Sequence, residues 1–102
     1  MFAAVWEYDV DVDAAAAFEA AYGPGGAWSR LFAANAGYQA TVLVADRDRS
    51  GRYLVIDLFT DEAAYRRVRH DDAERYQELS AACGSLWRRE VCLAPGWDGR
   101  GS

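Results

Sequence analysis

The chain has 102 residues, enough for one domain with a modest core. It is 52% hydrophobic and 14% aromatic, a surplus for a solitary small domain that points to an oligomer interface or an apolar pocket. The formal net charge of −5 argues against nucleic acid and against an anionic membrane surface as partners.

No stretch approaches the ~18 apolar residues of a membrane-spanning helix. The start MFAAVWEYDV turns acidic at once, without the basic and long apolar regions of a signal peptide. A cytoplasmic protein is expected. Cys83 and Cys92 are then reduced thiols, and they lack the spacing and partners of a zinc site. There is no Gly-x-Gly-x-x-Gly after a strand and no phosphate loop, so a nucleotide or flavin held by a standard motif is not indicated.

Phe2 to Val10 reads as a strand, with Phe2, Ala4, Trp6, Tyr8 and Val10 on one face. Asp13 can cap a helix from Ala14 to Tyr22. Gly23-Pro24-Gly25-Gly26 breaks it. A second helix, Ala27 to Ala34, places Trp28, Leu31 and Phe32 at i, i+3 and i+4. Gly37 can take a positive φ after it. Tyr38 to Ala45 is the second strand, and the polar Asp46 to Gly51 turns it into a third, Tyr53 to Phe59. Both side-chain parities of that third strand are apolar apart from Asp57, which suggests burial on both faces.

Thr60 can cap the helix that follows. Helical pattern runs from Asp61 to Cys83, with Tyr65, Val68, Tyr76, Leu79 and Cys83 on one stripe. Asp72 falls on the same stripe, so an interruption is expected near His70, with Asp71 and Glu74 forming a capping box at the restart. Leu86 to Leu93 reads as the fourth strand. Pro95-Gly96-Trp97 and the residues to Ser102 read as frayed, so the domain is expected to end at residue 96.

The order β-α-β-β-α-β is the split arrangement of an α+β, ferredoxin-like fold: a four-stranded antiparallel sheet with helices on one face. The other face has no helix to cover it. A homodimer through the sheet faces, closing as a barrel, is the expected remedy.

Two residues are candidates for acid–base work. His70, the lone histidine, is either an ordinary helix-end residue or a general base. Asp57 is either paired with Arg52, Arg88 or Arg89, or is a pocket carboxylate with a raised pKa. Its face is undecided by pattern. Trp6, Tyr8, Tyr22, Trp28, Tyr65 and Tyr76 fall between helices and sheet, as core or as a flat pocket for a planar small molecule. Arg88, Arg89 and Glu90 read as a solvated sheet edge.

The element order, the first crossover AFEAAYGPGGAWSRLFAANAGYQAT and the junction YLVIDLFTDEAAYRRV resemble the antibiotic biosynthesis monooxygenase-like domains of the dimeric α/β-barrel superfamily, over about Phe2 to Pro95. The resemblance implies cofactor-independent oxygenation of an aromatic polyketide-like molecule, with neither metal nor flavin. It places Asp57 or His70 as base and Trp6, Tyr8, Tyr22, Trp28, Phe59, Tyr65 and Tyr76 around the ring. Such enzymes often carry an acidic residue and then a tryptophan at the end of the third strand; here these positions are Asp57 and Phe59. The haem-degrading branch uses an asparagine on strand one and a tryptophan and histidine on the second main helix. Trp6 or Glu7, Val68 and Glu78 stand there instead, which argues against haem degradation. A non-catalytic ligand-binding or stress-response protein, or a polyketide cyclase or isomerase, are the alternatives on the same fold.

Overall fold

The computed structural model describes residues 1–93 and 96–100. Five strands pair in one antiparallel sheet: β1 (Phe2–Asp9), β2 (Tyr38–Ala45), β3 (Arg52–Phe59), β4 (Arg89–Cys92) and β5 (Trp97–Asp98). Their order is β2-β3-β1-β4, with β5 beside the start of β1. The four helices are α1 (Ala15–Tyr22), α2 (Ala27–Ala33), α3 (Glu62–Asp71) and α4 (Ala73–Cys83). This is the expected ferredoxin-like α+β fold, with one added strand. The sheet remains open in the single chain.

Burial alternates strictly along β3 and settles its parity. Tyr53, Val55, Asp57 and Phe59 are buried under the helices. Leu54, Ile56 and Leu58 are only half-buried on the opposite face. Val5 and the exposed Val42 and Val44 share that face with them, by register. The strand is therefore apolar on both sides but covered on one. Phe18, Phe59 and Val68 are the largest fully buried side chains, and they tie α1, β3 and α3 together.

Local signals shifted by a residue or two. Asp13 does not cap α1; it lies in a short 3-10 turn, Val12–Ala14, and Ala14 occupies the cap position. Asp61, not Thr60, caps α3, its Oδ1 accepting from the Ala64 amide at 2.8 Å. The Thr60 amide donates to the Gly37 carbonyl, so the chain is still tied to the neighbouring loop there and the helix starts one residue later. Gly37 has φ +97°, as its position required, and a Cβ on it would lie 2.6 Å from the Ala64 Cβ.

The break in the long helical pattern falls at Asp72. No capping box forms: Asp71 bonds His70, and the Asp72 carboxylate accepts from Asn35 Nδ2 at 3.0 Å. The fourth strand is shorter than Leu86 to Leu93, because Leu86 and Trp87 turn inward against the core. Trp97 and Asp98, expected in a frayed tail, pair with Ala3 and Phe2 along the β1 edge that β4 leaves open. Pro95 and the last two residues of that tail, Gly101 and Ser102, lie outside the described residues. Cys83 is buried and Cys92 exposed, and no disulfide links them. Among the described residues, no helix is long and apolar enough to cross a membrane.

Candidate active site

The helix face of the sheet is the floor of an aromatic cleft. Period-two alternation brings Trp6 and Tyr8 of β1 to the same face as Val55 and Asp57 of β3. Tyr22, Trp28 and Phe32 form a wall from α1 and α2. Tyr65 of α3 and Tyr76 and Ser80 of α4 form the other wall. Trp87 and Glu90 close the end near β4. About 530 Å³ is unfilled within this lining, the open mouth included, yet water-sized molecules can be centred in only about 50 Å³ of it. The space is a narrow slot between rings, not a wide chamber.

Asp57 sits on the floor and is 5% exposed. Across the sheet it faces Ala4 on one side and Thr41 on the other. The alanine offers it no side-chain hydrogen bond, and Thr41 Oγ1 donates to Asp57 Oδ1 at 2.7 Å. The Thr41 hydroxyl has one proton, so when it serves Asp57 its oxygen accepts from the Tyr38 hydroxyl, 2.8 Å away. The expected arginine partners are elsewhere: Arg52 bonds Glu7 and Asp46, and Arg88 bonds Asp11. Burial without a cation pushes the Asp57 carboxyl up to about 6, and the Thr41 bond offsets only part of this.

The surrounding hydroxyls are tethered in pairs. Tyr8 donates to Glu90 Oε2 at 2.6 Å, and burial together with that carboxylate drives its own ionisation well above the ordinary range. Tyr22 accepts from Trp87 Nε1 at 3.0 Å; burial raises it to about 12. Tyr65 is also raised to about 12 by burial, while Arg69, which donates to its hydroxyl at 3.3 Å, works against the shift. Among the described residues the buried Trp28 Nε1 meets no acceptor in hydrogen-bonding geometry, although it lies close enough to Tyr22 and Cys83 to lower their pKa values. All these groups can hold a planar, partly polar molecule; only Asp57 has a pKa suited to removing a proton near neutrality.

Of the residues singled out by sequence, Asp57, Trp6, Tyr8, Tyr22, Trp28, Tyr65 and Tyr76 converge on this cleft. Phe59 does not: it is fully buried beneath it, packed edge-on against Phe32, Tyr38 and Tyr65. His70 is also outside, its side chain 89% exposed and bonded to Asp71. Glu90 and Trp87 were missed. The cross-strand pair Tyr8–Glu90 identifies Glu90, but only once the β1–β4 register is known. Trp87 lies before β4 and follows no strand alternation. Among the described residues, no group of three or more His, Cys, Asp or Glu is placed to hold a metal ion.

No protein-family model matches the chain. No curated protein matches it. Solved structures do. A point mutant of SnoaB, a cofactor-independent oxygenase from Streptomyces nogalater, superposes with TM-score 0.76 at 20% identity, covering 99% of this chain and 94% of that one. A proposed antibiotic biosynthesis monooxygenase from Nitrosomonas europaea gives TM-score 0.74 at 10% identity, covering 96% and 88%. Rv0793 from Mycobacterium tuberculosis gives 0.68 at 21% identity, covering 98% of both chains. The chain therefore has the ferredoxin-like fold of antibiotic biosynthesis monooxygenase-like proteins.

Proposed function

We propose that this chain, which shares its fold with those oxygenases, is a cofactor-independent monooxygenase of a small planar phenol or anthrone. The observation that carries this reading is Asp57, a buried carboxylate with a hydroxyl partner and no cation, on the floor of an aromatic cleft. At neutral pH it is ionised, and it is a stronger base than an exposed carboxylate. It takes the proton from the acidic carbon of the substrate. The carbanion gives one electron to molecular oxygen, and the resulting radicals join as a carbon–oxygen bond. The peroxide anion takes up a proton, and loss of water leaves the ketone. One oxygen atom enters the product and the other leaves as water, so no external reductant is consumed. Tyr65, accepting from Arg69, keeps its own proton for the developing oxyanion. Trp6, Tyr8, Tyr22, Trp28 and Tyr76 hold the ring in place.

The test is oxygen uptake by metal-free and flavin-free protein offered anthrones and hydroquinones. Uptake above the uncatalysed rate is expected, rising with pH through about 6 as Asp57 ionises, and lost in Asp57→Asn. Turnover that proceeds equally without oxygen would replace this reading by a cyclase or isomerase using the same base.

A second copy of the chain is proposed to cover the open sheet face. Leu54, Ile56, Leu58, Val42, Val44 and Val5 lie together there with no helix over them. Burying such a surface is favourable in proportion to its apolar area.

A further inference from the structure

Beside the cleft, α3 and the β1–β4 edge flank an open groove lined by Trp6, Glu62, Tyr65, Arg66, Arg69, His70 and Cys92. Trp6 and Tyr65 line both, so the two spaces share a wall.

The basic side chains of the groove are not equivalent. The Arg66 guanidinium is taken by Glu62, at 2.8 and 3.0 Å. The His70 ring is taken by Asp71. Arg69 has no carboxylate partner among the described residues. Its guanidinium carbon lies 5.2 Å from the centre of the Tyr76 ring and 5.7 Å from that of Tyr65, and its one hydrogen bond among the described residues is to the Tyr65 hydroxyl. A guanidinium has five N–H donors in a planar fork. Stacking on two rings fixes that plane while leaving most of the donors unused. Arg69 thus stands as a pre-oriented cation against Tyr65 and Tyr76, two rings that also line the cleft, on a protein whose net charge is −5. A neutral aromatic ligand has no need of it.

We propose that Arg69 is the specificity determinant for an aromatic carboxylic acid: the ring enters the cleft and the carboxylate of the same molecule is gripped by the Arg69 fork in the groove. The inference rests on the cleft being the ring site, and it names the substrate class. Arg66, paired with Glu62, and His70, bonded to Asp71, contribute little.

The experiment is calorimetric titration at neutral pH with two oxidised probes that cannot turn over, a dihydroxyanthraquinone carboxylate and the matching methyl compound. The wild-type chain is expected to bind the carboxylate about ten- to a hundredfold tighter, the range of a charge-assisted hydrogen bond. Arg69→Gln abolishes the preference, read as the ratio of the two affinities within the variant, so that any loosening of the Tyr65 and Tyr76 rings, which affects both probes alike, cancels. Arg69→Lys retains part of it, and Arg66→Gln retains all of it. Equal wild-type affinity for the two probes, or a preference that survives in Arg69→Gln, overturns the proposal. Binding of neither probe overturns it together with the ring site it rests on. A preference that depends on Arg69 in a protein that takes up no oxygen leaves it standing and refutes only the oxygenation.

Discussion

Replacing Asp57 by asparagine tests the electrostatics of the cleft without needing a substrate. Asparagine has nearly the shape of a protonated aspartate, and its carbonyl can still accept from Thr41. Burial raises the Asp57 pKa from 3.8 to about 6 in the folded chain. Between those values the folded state keeps a proton that the unfolded chain has lost. Stability therefore falls as pH rises through this window, is fully retained below it, and has lost the whole contribution above it. At about 1.36 kcal/mol per pH unit the loss amounts to about 3 kcal/mol. Asp57→Asn does not titrate, so its stability relative to wild type should climb by about 2.4 kcal/mol between pH 4 and pH 7, the remainder of the change lying below pH 4. The amide adds a penalty of about 1–3 kcal/mol for its unpartnered NH2, but that penalty is constant with pH and drops out of the slope. The assay is urea unfolding of both proteins at fixed concentration across the window. A difference that stays flat with pH, or slopes the other way, would show that a cation or further donors hold Asp57 low, and would remove the proposed base.

His70→Ala should leave both the rate of oxygen uptake and the midpoint of its pH profile unchanged, since the ring is exposed and bonded to Asp71; a shifted midpoint would return His70 to the catalytic site. Val42→Asp should convert a dimer to a monomer in sedimentation, with little change in secondary structure by circular dichroism, because Val42 is already exposed in the single chain. Unchanged sedimentation as a dimer would move the interface to another surface. Asp61→Ala should cost about 1 kcal/mol in urea unfolding through loss of its bond to the Ala64 amide, whereas Thr60→Ala, which lacks that bond, should cost less.

The element order, the positive φ at Gly37 and the break near His70 were legible because they follow from local chemistry. Side-chain period, glycine's conformational freedom and a misplaced polar residue act within a few residues of chain. The aromatic inventory was legible for the same reason: Trp6 and Tyr8 are two apart on a strand, and Tyr65 and Tyr76 lie on helical stripes. The caps slipped because Ser, Thr, Asp and Asn are near-equivalent as caps, and distant bonds choose among them, as Gly37 does for Thr60 and Asn35 for Asp72.

The face of Asp57 was beyond sequence reading, because both parities of β3 are apolar and period two cannot rank them. Its environment was set by residues far along the chain: Thr41 supplies the hydrogen bond, and Ala4, opposite it on β1, supplies none. Which arginines would be occupied was equally non-local, since Glu7 and Asp46 reach Arg52, and Asp11 reaches Arg88. Sequence fixes which side chains share a strand face or a helix stripe, a matter of backbone geometry. Only the packed fold decides which carboxylate loses its water without gaining a cation, because desolvation depends on everything that surrounds a group and not on its neighbours in the chain.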